Sequence, residues 1–226
     1  MSLPSLLLKH NDMKELAAVK AGLGVDLALV FAVDVSSSVD EGDYQLQMGG
    51  ISQALRNPLT LHYIQSGPEQ KVAISLVQWS TAKTQVVTLD WHILVDGPSI
   101  EAAAKAIETQ PRRWSLGGTG LAAALVFCAD LLKALPQPTR RRLIDVSGDG
   151  QDNEGGDVAT ARALTLAQGI TINGLPIIEG SEHIENYYRT QVMGGPGAFI
   201  EPAVNILAFG KAMETKLLRE LQDLDA

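Results

Sequence analysis

The sequence has little cysteine, little positive charge and no long apolar run, and each shortage excludes a class of protein. Cys128 is the sole cysteine, so no disulfide can form within the chain. It lies on an apolar helical stripe and is expected to be a buried thiol rather than a nucleophile. The 18 basic residues are outnumbered by 26 acidic ones, and the net charge of -8 disfavours a broad nucleic-acid surface. No apolar stretch approaches the length of a membrane span.

Signatures of common catalytic and nucleotide sites are also missing. The four histidines are scattered without zinc-type spacing, and no Gly-x-Ser-x-Gly nucleophile elbow occurs. Neither a Gly-x-Gly-x-x-Gly turn nor a P-loop lysine pattern is present. The first strand–helix turn carries serines and the acidic pair Asp40-Glu41, which repel phosphate. The sequence therefore argues against nucleotide binding and gives no support for a paired catalytic base and nucleophile.

The length and the apolar content predict one full domain. The chain has 226 residues, of which 46% are hydrophobic. We expect an N-terminal extension over residues 1–24 and a single domain over residues 25–226. The extension has apolar patches but no clear signal peptide, so both a cytoplasmic protein and an exported one whose leader has been removed stay open.

Strand and helix patterns alternate from residue 25 onward. This predicts an α/β fold, a doubly wound, mostly parallel central sheet with helices on both faces. Val72–Trp79 and Thr84–Leu94 are separated by only four residues, so they should form an antiparallel hairpin whose far strand is an edge. The other predicted strands are residues 27–33, 143–147, 170–178 and 198–203; the predicted helices are residues 40–56, 100–109, 121–134, 158–168, 181–191 and 205–221.

Oxygen-bearing side chains follow two of these strands and a glycine-flanked loop. Asp34, Ser36 and Ser38 come directly after the first strand, Thr119 lies in Gly-Gly-Thr-Gly before a helix, and Asp149 follows the fourth strand. Ligands bind at the carboxyl ends of strands in open sheets of this kind. Two carboxylates and three hydroxyls are hard oxygen donors, so together they predict a site for Mg²⁺ or a similar cation.

Each part of this set also has a plainer interpretation. Asp34 and the serines could satisfy loop backbone groups or cap the next helix, Thr119 could be a helix cap, and Asp149-Gly150 could be a turn. The acidic loop at residues 151–157 could line the site or add a ligand, although simple solvation is favoured. The metal hypothesis depends on the joint placement of the donors at strand ends.

At these positions the chain resembles the von Willebrand factor A family. The resemblance covers about residues 25–221 and is carried by Asp34-x-Ser36-x-Ser38, Thr119 and Asp149-Gly150. It implies a doubly wound sheet with one antiparallel edge strand. It also implies a metal-ion-dependent adhesion site (MIDAS) for Mg²⁺, or for Mn²⁺ or Ca²⁺, that engages a carboxylate of a protein partner without catalysis. The competing function is a metal-dependent hydrolase acting on phosphate esters.

Other segments resemble a bacterial subgroup of this family that has no assigned function. They are Asn186-Tyr187-Tyr188, the segment from Gly194 to Phe199 and the segment from Lys216 to Glu220. Because members of the subgroup are typically made with a secretion leader, the resemblance implies a periplasmic or secreted protein; without a removed leader it would be cytoplasmic.

Three details depart from the common family pattern. Ser37 stands where glycine is frequent, and Gly120-Leu121 replaces a second threonine region. Ser147-Gly148 precedes Asp149, where an apolar residue and threonine are common. These departures bear on the coordination geometry more than on the fold.

Overall fold

A computed structural model of the protein describes residues 24–222 and 224. Within this part of the chain five strands form one sheet in the order β3-β2-β1-β4-β5. All neighbouring strands are parallel except the β2–β3 hairpin, which places β3 antiparallel at one edge. The predicted fold class is therefore confirmed. The strands are β1 (Val25–Asp34), β2 (Val72–Trp79), β3 (Gln85–Leu94), β4 (Thr139–Gly148) and β5 (Ile170–Pro176).

Helices cover both faces of the sheet, because β1 is apolar on both sides. Leu29 and Phe31 belong to one core cluster, while Val30 and Ala32 belong to a second cluster on the opposite face, as the two-residue period of a strand requires. The helices are α1 (Glu41–Arg56), α2 (Pro58–Ser66), α3 (Gly97–Glu108), α4 (Leu121–Ala134), α5 (Val158–Ala167), α6 (Glu182–Tyr187) and α7 (Phe209–Gln222). Helices α1, α3 and α7 pack on the first cluster, and α4 and α5 pack on the second.

The predicted strand at residues 198–203 is wrong. This segment runs beside β5 but makes only isolated bridges, which join Ile200 to Gly174 and Ala203 to Ile177. The Asn173 side chain accepts the hydrogen bond of the Phe199 N–H at 3.0 Å, and Pro176 in β5 has no N–H to donate to this segment. A side chain and a proline therefore interrupt the ladder that a sixth strand would need.

Two helical features also differ from the sequence prediction. Helix α2 was not expected after Asn57-Pro58; Asn57 both ends α1 and caps α2 by accepting the Leu59 N–H at 2.9 Å. The final predicted helix begins as a separate 3₁₀ turn, Ile206–Ala208, before α7. Leu207 lies in that turn and is 78% exposed, whereas Phe209 and Met213 of α7 are buried.

The ends of the chain add little to this description. The predicted extension at residues 1–24 lies outside the described residues except for Gly24, and the division into extension and domain stays a prediction. Of the helices in the described part, none is both long enough and apolar enough to cross a membrane.

Candidate metal centre

The sheet topology brings the two predicted carboxylates to one edge. Strands β1 and β4 are parallel neighbours, and Val33 lies opposite Ser147 in their register. Asp34 is the last residue of β1, and Asp149 is the first residue after β4. Because the carboxyl ends of parallel strands meet at the same edge, both side chains enter the crevice between the two strand–helix loops.

Hydrogen bonds connect four of the five predicted donors. The Ser36 N–H donates to Asp34 Oδ1 at 2.7 Å, and the Ser36 and Ser38 hydroxyls are 3.1 Å apart. The Ser38 hydroxyl then donates to Asp149 Oδ1 at 2.7 Å, across 111 residues of sequence. These four residues therefore form one hydrogen-bonded set, in which the Ser36 backbone N–H joins Asp34 to the hydroxyls. Asp40 caps α1 through a capping box with Asp43, so Ser38 is not needed as its cap.

Thr119 approaches the same edge from the loop before α4. The Ser37 N–H donates to the Gly117 carbonyl at 3.1 Å, which joins this loop to the Asp34 loop. The Thr119 hydroxyl lies next to Gly150, where an added Cβ would be 3.3 Å from Oγ1. Asn153 fixes the Thr119 backbone, since its side chain accepts the Thr119 N–H and its own N–H donates to the Thr119 carbonyl.

The electrostatics of Asp34 favour a positive charge at this position. Its side chain is completely buried, and Oδ2 has no hydrogen-bond partner among the described residues. The pKa of Asp34 is raised to about 7, chiefly by burial and also by the nearby Asp149 carboxylate, which together outweigh the lowering effects of the Ser36 hydrogen bonds and Arg112. Burial also raises the pKa of Asp149. A buried carboxylate of this kind requires either a proton or a cation.

These residues fit a hard divalent cation. Across the described ranges, no three histidine, cysteine, aspartate or glutamate side chains gather at one point, so the donor set has two carboxylates and is completed by hydroxyls. Carboxylate and hydroxyl oxygens suit Mg²⁺, Mn²⁺ or Ca²⁺. The unpartnered Asp34 Oδ2 is the atom that such an ion would satisfy.

Three neighbours of the site were not identified from the sequence. The Arg112 guanidinium donates to the Ser36 carbonyl at 2.9 Å and holds the first loop from behind. Asp152 accepts the Ala122 N–H at 2.9 Å and so caps α4, whose own N-cap is Gly120. The glycine before α4 was a signal that a cap must come from elsewhere. The sequence analysis favoured a solvated loop at residues 151–157 and did not predict that Asp152 caps α4.

Tyr188 is the third neighbour and lies beneath the site. A Cβ at Gly148 would be 2.7 Å from Tyr188 Oη and 2.9 Å from Asp34 Oδ2. This contact gives a physical reason for glycine at this position, because any side chain would collide with both oxygens. Burial raises the pKa of Tyr188 well above its usual range, so the phenol is a protonated donor.

A cavity of about 420 Å³ adjoins the exposed side of the site. It shares Ser38 and Asp149 with the donor set, and the carboxylates of Asp43 and Glu179 also line it. Both carboxylates add to the negative charge around Asp149. The rest of the lining is apolar and comprises Val39, Ile177 and Ile206.

This arrangement of sheet and helices is the fold of von Willebrand factor A-like domains. A domain of that type from Catenulispora acidiphila has a TM-score of 0.57 at 13% identity, covering 87% of this chain and 43% of the other. The chain belongs to the family described as "Protein of unknown function (DUF1194)", whose model matches residues 24–225. A comparison with curated protein sequences gave no match.

Two further solved structures share the fold. Proximal thread matrix protein 1 from the mussel byssus, with a zinc-occupied MIDAS motif, has a TM-score of 0.61 at 16% identity. The match covers 88% of this chain but 46% of the mussel chain. BatB from Bacteroides thetaiotaomicron has a TM-score of 0.58 at 16% identity, covering 86% of this chain and 98% of that one. At these identities the likeness establishes the fold alone.

Proposed function

We propose that the protein is a metal-dependent binding module that engages an acidic residue of a protein partner. Asp34, Ser36, Ser38, Thr119 and Asp149 would hold the cation, Mg²⁺ or alternatively Mn²⁺ or Ca²⁺. The observation that carries the proposal is the hydrogen-bonded set that joins Asp34 to Asp149. At the Asp34 end of this set, the buried oxygen Oδ2 has no hydrogen-bond partner among the described residues. When bound, such an ion supplies an open coordination position for an oxygen of the partner's carboxylate.

The charges of the donor set suit this role. Asp34 and Asp149 provide two negative charges, which nearly neutralise a divalent cation, while the hydroxyls are neutral and weak donors. Arg112 is committed to backbone carbonyls of the first loop. The site would therefore retain enough positive character to attract an external carboxylate.

The surroundings of the site support a protein partner. Leu116 is 81% exposed and precedes Gly117, whose carbonyl accepts the Ser37 N–H at the site. On the other side lies the acidic cavity with Asp43 and Glu179. An exposed apolar side chain and an acidic cavity complement a carboxylate flanked by apolar and basic groups.

The alternative is a metal-dependent hydrolase acting on phosphate esters. Among the described residues, neither the donors nor the cavity lining include a histidine that could act as a base or acid. We therefore propose a binding function without catalysis; turnover of phosphate esters that disappears in Asp34→Asn would favour the enzyme instead.

Calorimetric titration of Mg²⁺ and Mn²⁺ tests the metal site. Wild type should bind Mg²⁺. Removal of an outer-shell partner usually lowers metal affinity by roughly 10–100-fold, and the affinity of Asp34→Asn should fall by more than this. Asp130→Asn makes the same change of charge on an exposed face of α4 and should bind like wild type. Equal affinity in wild type and Asp34→Asn would refute the site.

Capture from an extract of the native host tests the partner. Immobilised wild type is compared in Mg²⁺ and in chelator, with Asp34→Asn alongside. A partner should be retained only by wild type in Mg²⁺; retention that persists in chelator would mean that no metal mediates the contact.

A periplasmic or secreted location is part of this proposal, and fractionation of the host tests it.

A further inference from the structure

Tyr188 is a buried polar residue that the proposed function does not use. It begins a π-helical turn, Tyr188–Val192, directly after α6, and turns of this type occur often at functional sites. Its side chain is completely buried, and its hydroxyl has no hydrogen-bond partner among the described residues. An unsatisfied buried hydroxyl destabilises a fold, so its location requires an explanation.

Two glycines determine where the tyrosine ring lies. A Cβ at Gly174 in β5 would be 2.7 Å from Tyr188 Cδ1, and a Cβ at Gly148 in β4 would be 2.7 Å from Oη. The ring therefore lies across two neighbouring strands. A side chain at Gly148 or Gly174 would occupy the space that the ring fills. This placement directs the hydroxyl towards the end of β1.

The atom on the other side of Gly148 is the unpartnered carboxylate oxygen of Asp34. A Cβ added at Gly148 would be 2.9 Å from Asp34 Oδ2 and 2.7 Å from Tyr188 Oη, so both oxygens lie next to the same position. One of these buried oxygens carries a proton to donate, and the other is an acceptor without a donor. Among the charged groups acting on Tyr188, Asp34 has the largest effect.

We propose that Tyr188 is a positioning residue for Asp34, an inference that rests on the proposed metal site. In this arrangement the side chains rotate so that the Tyr188 hydroxyl donates a hydrogen bond to Asp34 Oδ2 and fixes the orientation of the carboxylate. A carboxylate oxygen has two lone pairs, so Oδ2 can accept this bond and also ligate a cation. Outer-shell partners of this kind orient metal ligands and raise affinity.

The preceding residue acts on the other side of the same site. The Tyr187 hydroxyl accepts the Asp152 N–H at 3.2 Å, and Asp152 caps the helix that follows Thr119. The consecutive tyrosines thus support two different loops of the metal centre. This gives the Asn186-Tyr187-Tyr188 motif a role.

The substitution Tyr188→Phe separates positioning from packing, because it removes the hydroxyl and keeps the ring. We expect Mg²⁺ to bind about 10–100-fold more weakly to this variant than to wild type. Tyr63→Phe is the matched control: it removes a hydroxyl that accepts a hydrogen bond from Gln222 in α7, and it should leave the affinity unchanged. Calorimetry with Mg²⁺ alone gives the readout.

The outcomes distinguish this inference from the proposed function. Equal Mg²⁺ affinity in wild type and Tyr188→Phe would overturn the role of Tyr188 and leave the metal site intact. Failure of wild type to bind Mg²⁺ would overturn the metal site itself, and with it this inference.

A second measurement requires no metal. In chelator, the melting-temperature shifts of Tyr188→Phe, Asp34→Asn and the double variant form a mutant cycle. If the hydroxyl bonds the carboxylate, the two single shifts should not add up to the shift of the double variant. Additive shifts would mean that Tyr188 only fills space between the glycines, and the inference would fail.

Discussion

At the scale of single residues, the candidate site combines neighbours in sequence with neighbours in space. Asp34, Ser36 and Ser38 share one short loop, and it was their combination with Thr119 and Asp149 at predicted strand ends that predicted a cation site. Tyr188 and Gly148 contribute only because β4 and the π-helical turn meet beneath Asp34. No spacing in the sequence could have indicated that contact.

Two adjacent serines provide a controlled test of the donor set. Ser38→Ala removes the hydroxyl that donates to Asp149 at 2.7 Å, so Mg²⁺ affinity should fall by about tenfold or more. Ser37→Ala removes an exposed hydroxyl one residue earlier and leaves the Ser37 N–H on the Gly117 carbonyl, so the affinity should not change. Titration calorimetry compares the two; equal losses would mean that the loop backbone, not the Ser38 hydroxyl, determines binding.

At the scale of elements, glycine positions decide how helices pack on the sheet. Gly49 and Gly50 both lie inside α1, where glycine weakens a helix by roughly 1 kcal/mol relative to alanine. A Cβ at Gly49 would meet nothing within 4 Å, whereas one at Gly50 would lie 2.8 Å from Phe209 Cδ1 and 2.9 Å from Gly210 Cα. Only Gly50 is therefore needed for the close approach of α1 and α7.

The two glycines should respond in opposite directions to the same substitution. Gly49→Ala should raise the free energy of unfolding by about 0.5–1 kcal/mol, because it adds helix propensity without a clash. Gly50→Ala should lower it by about 1–3 kcal/mol, because it forces α7 away from α1. Urea denaturation measures both changes. A destabilised Gly49→Ala or a stabilised Gly50→Ala would contradict the helix packing described here.

At the scale of the whole molecule, a buried ionic cluster joins the last helix to the sheet. Lys216 in α7 lies 2.7 Å from Asp145 in β4 and also pairs with Glu220, and all three side chains are fully buried. Asn173 in β5 donates to Glu220 at 2.8 Å. One ammonium thus faces two carboxylates, so the cluster carries an excess negative charge in a poorly solvated position.

This excess charge makes stability depend on pH. Burial raises the pKa of Asp145 to about 7, against the lowering effect of Lys216. A carboxyl whose pKa is higher in the folded state stabilises the fold below its unfolded pKa, near 3.9, and that contribution is lost as pH rises towards 7. Wild type should therefore lose stability relative to Asp145→Asn between pH 4 and pH 7.

Denaturant unfolding at several pH values measures this difference. Asp90→Asn removes an exposed aspartate of β3 and should follow wild type at every pH. If wild type instead gained stability over Asp145→Asn as pH rises, the attraction of Lys216 would outweigh burial, and the assigned direction would be wrong.

Most of the fold follows from local patterns. The apolar run of β1, the alternating strand and helix patterns and the four-residue hairpin connection predicted the sheet and its antiparallel edge. The errors occurred where one side chain or one turn decided the outcome. Asn173 interrupts the ladder at residues 198–203, and Asn57 starts α2 immediately after α1. Such single contacts have no periodicity to detect.

Hydrophobic periodicity and the order of donors along the chain are local properties, and they were sufficient to predict the class of fold and the residue types of the candidate site. Three features emerge only when the chain is folded: Ser38 meets Asp149, Asp34 Oδ2 is buried without a partner among the described residues, and Tyr188 lies beside it. Burial, orientation and charge at the site depend on atoms that are distant in sequence. These atoms become neighbours only when the strands align and the helices close over them.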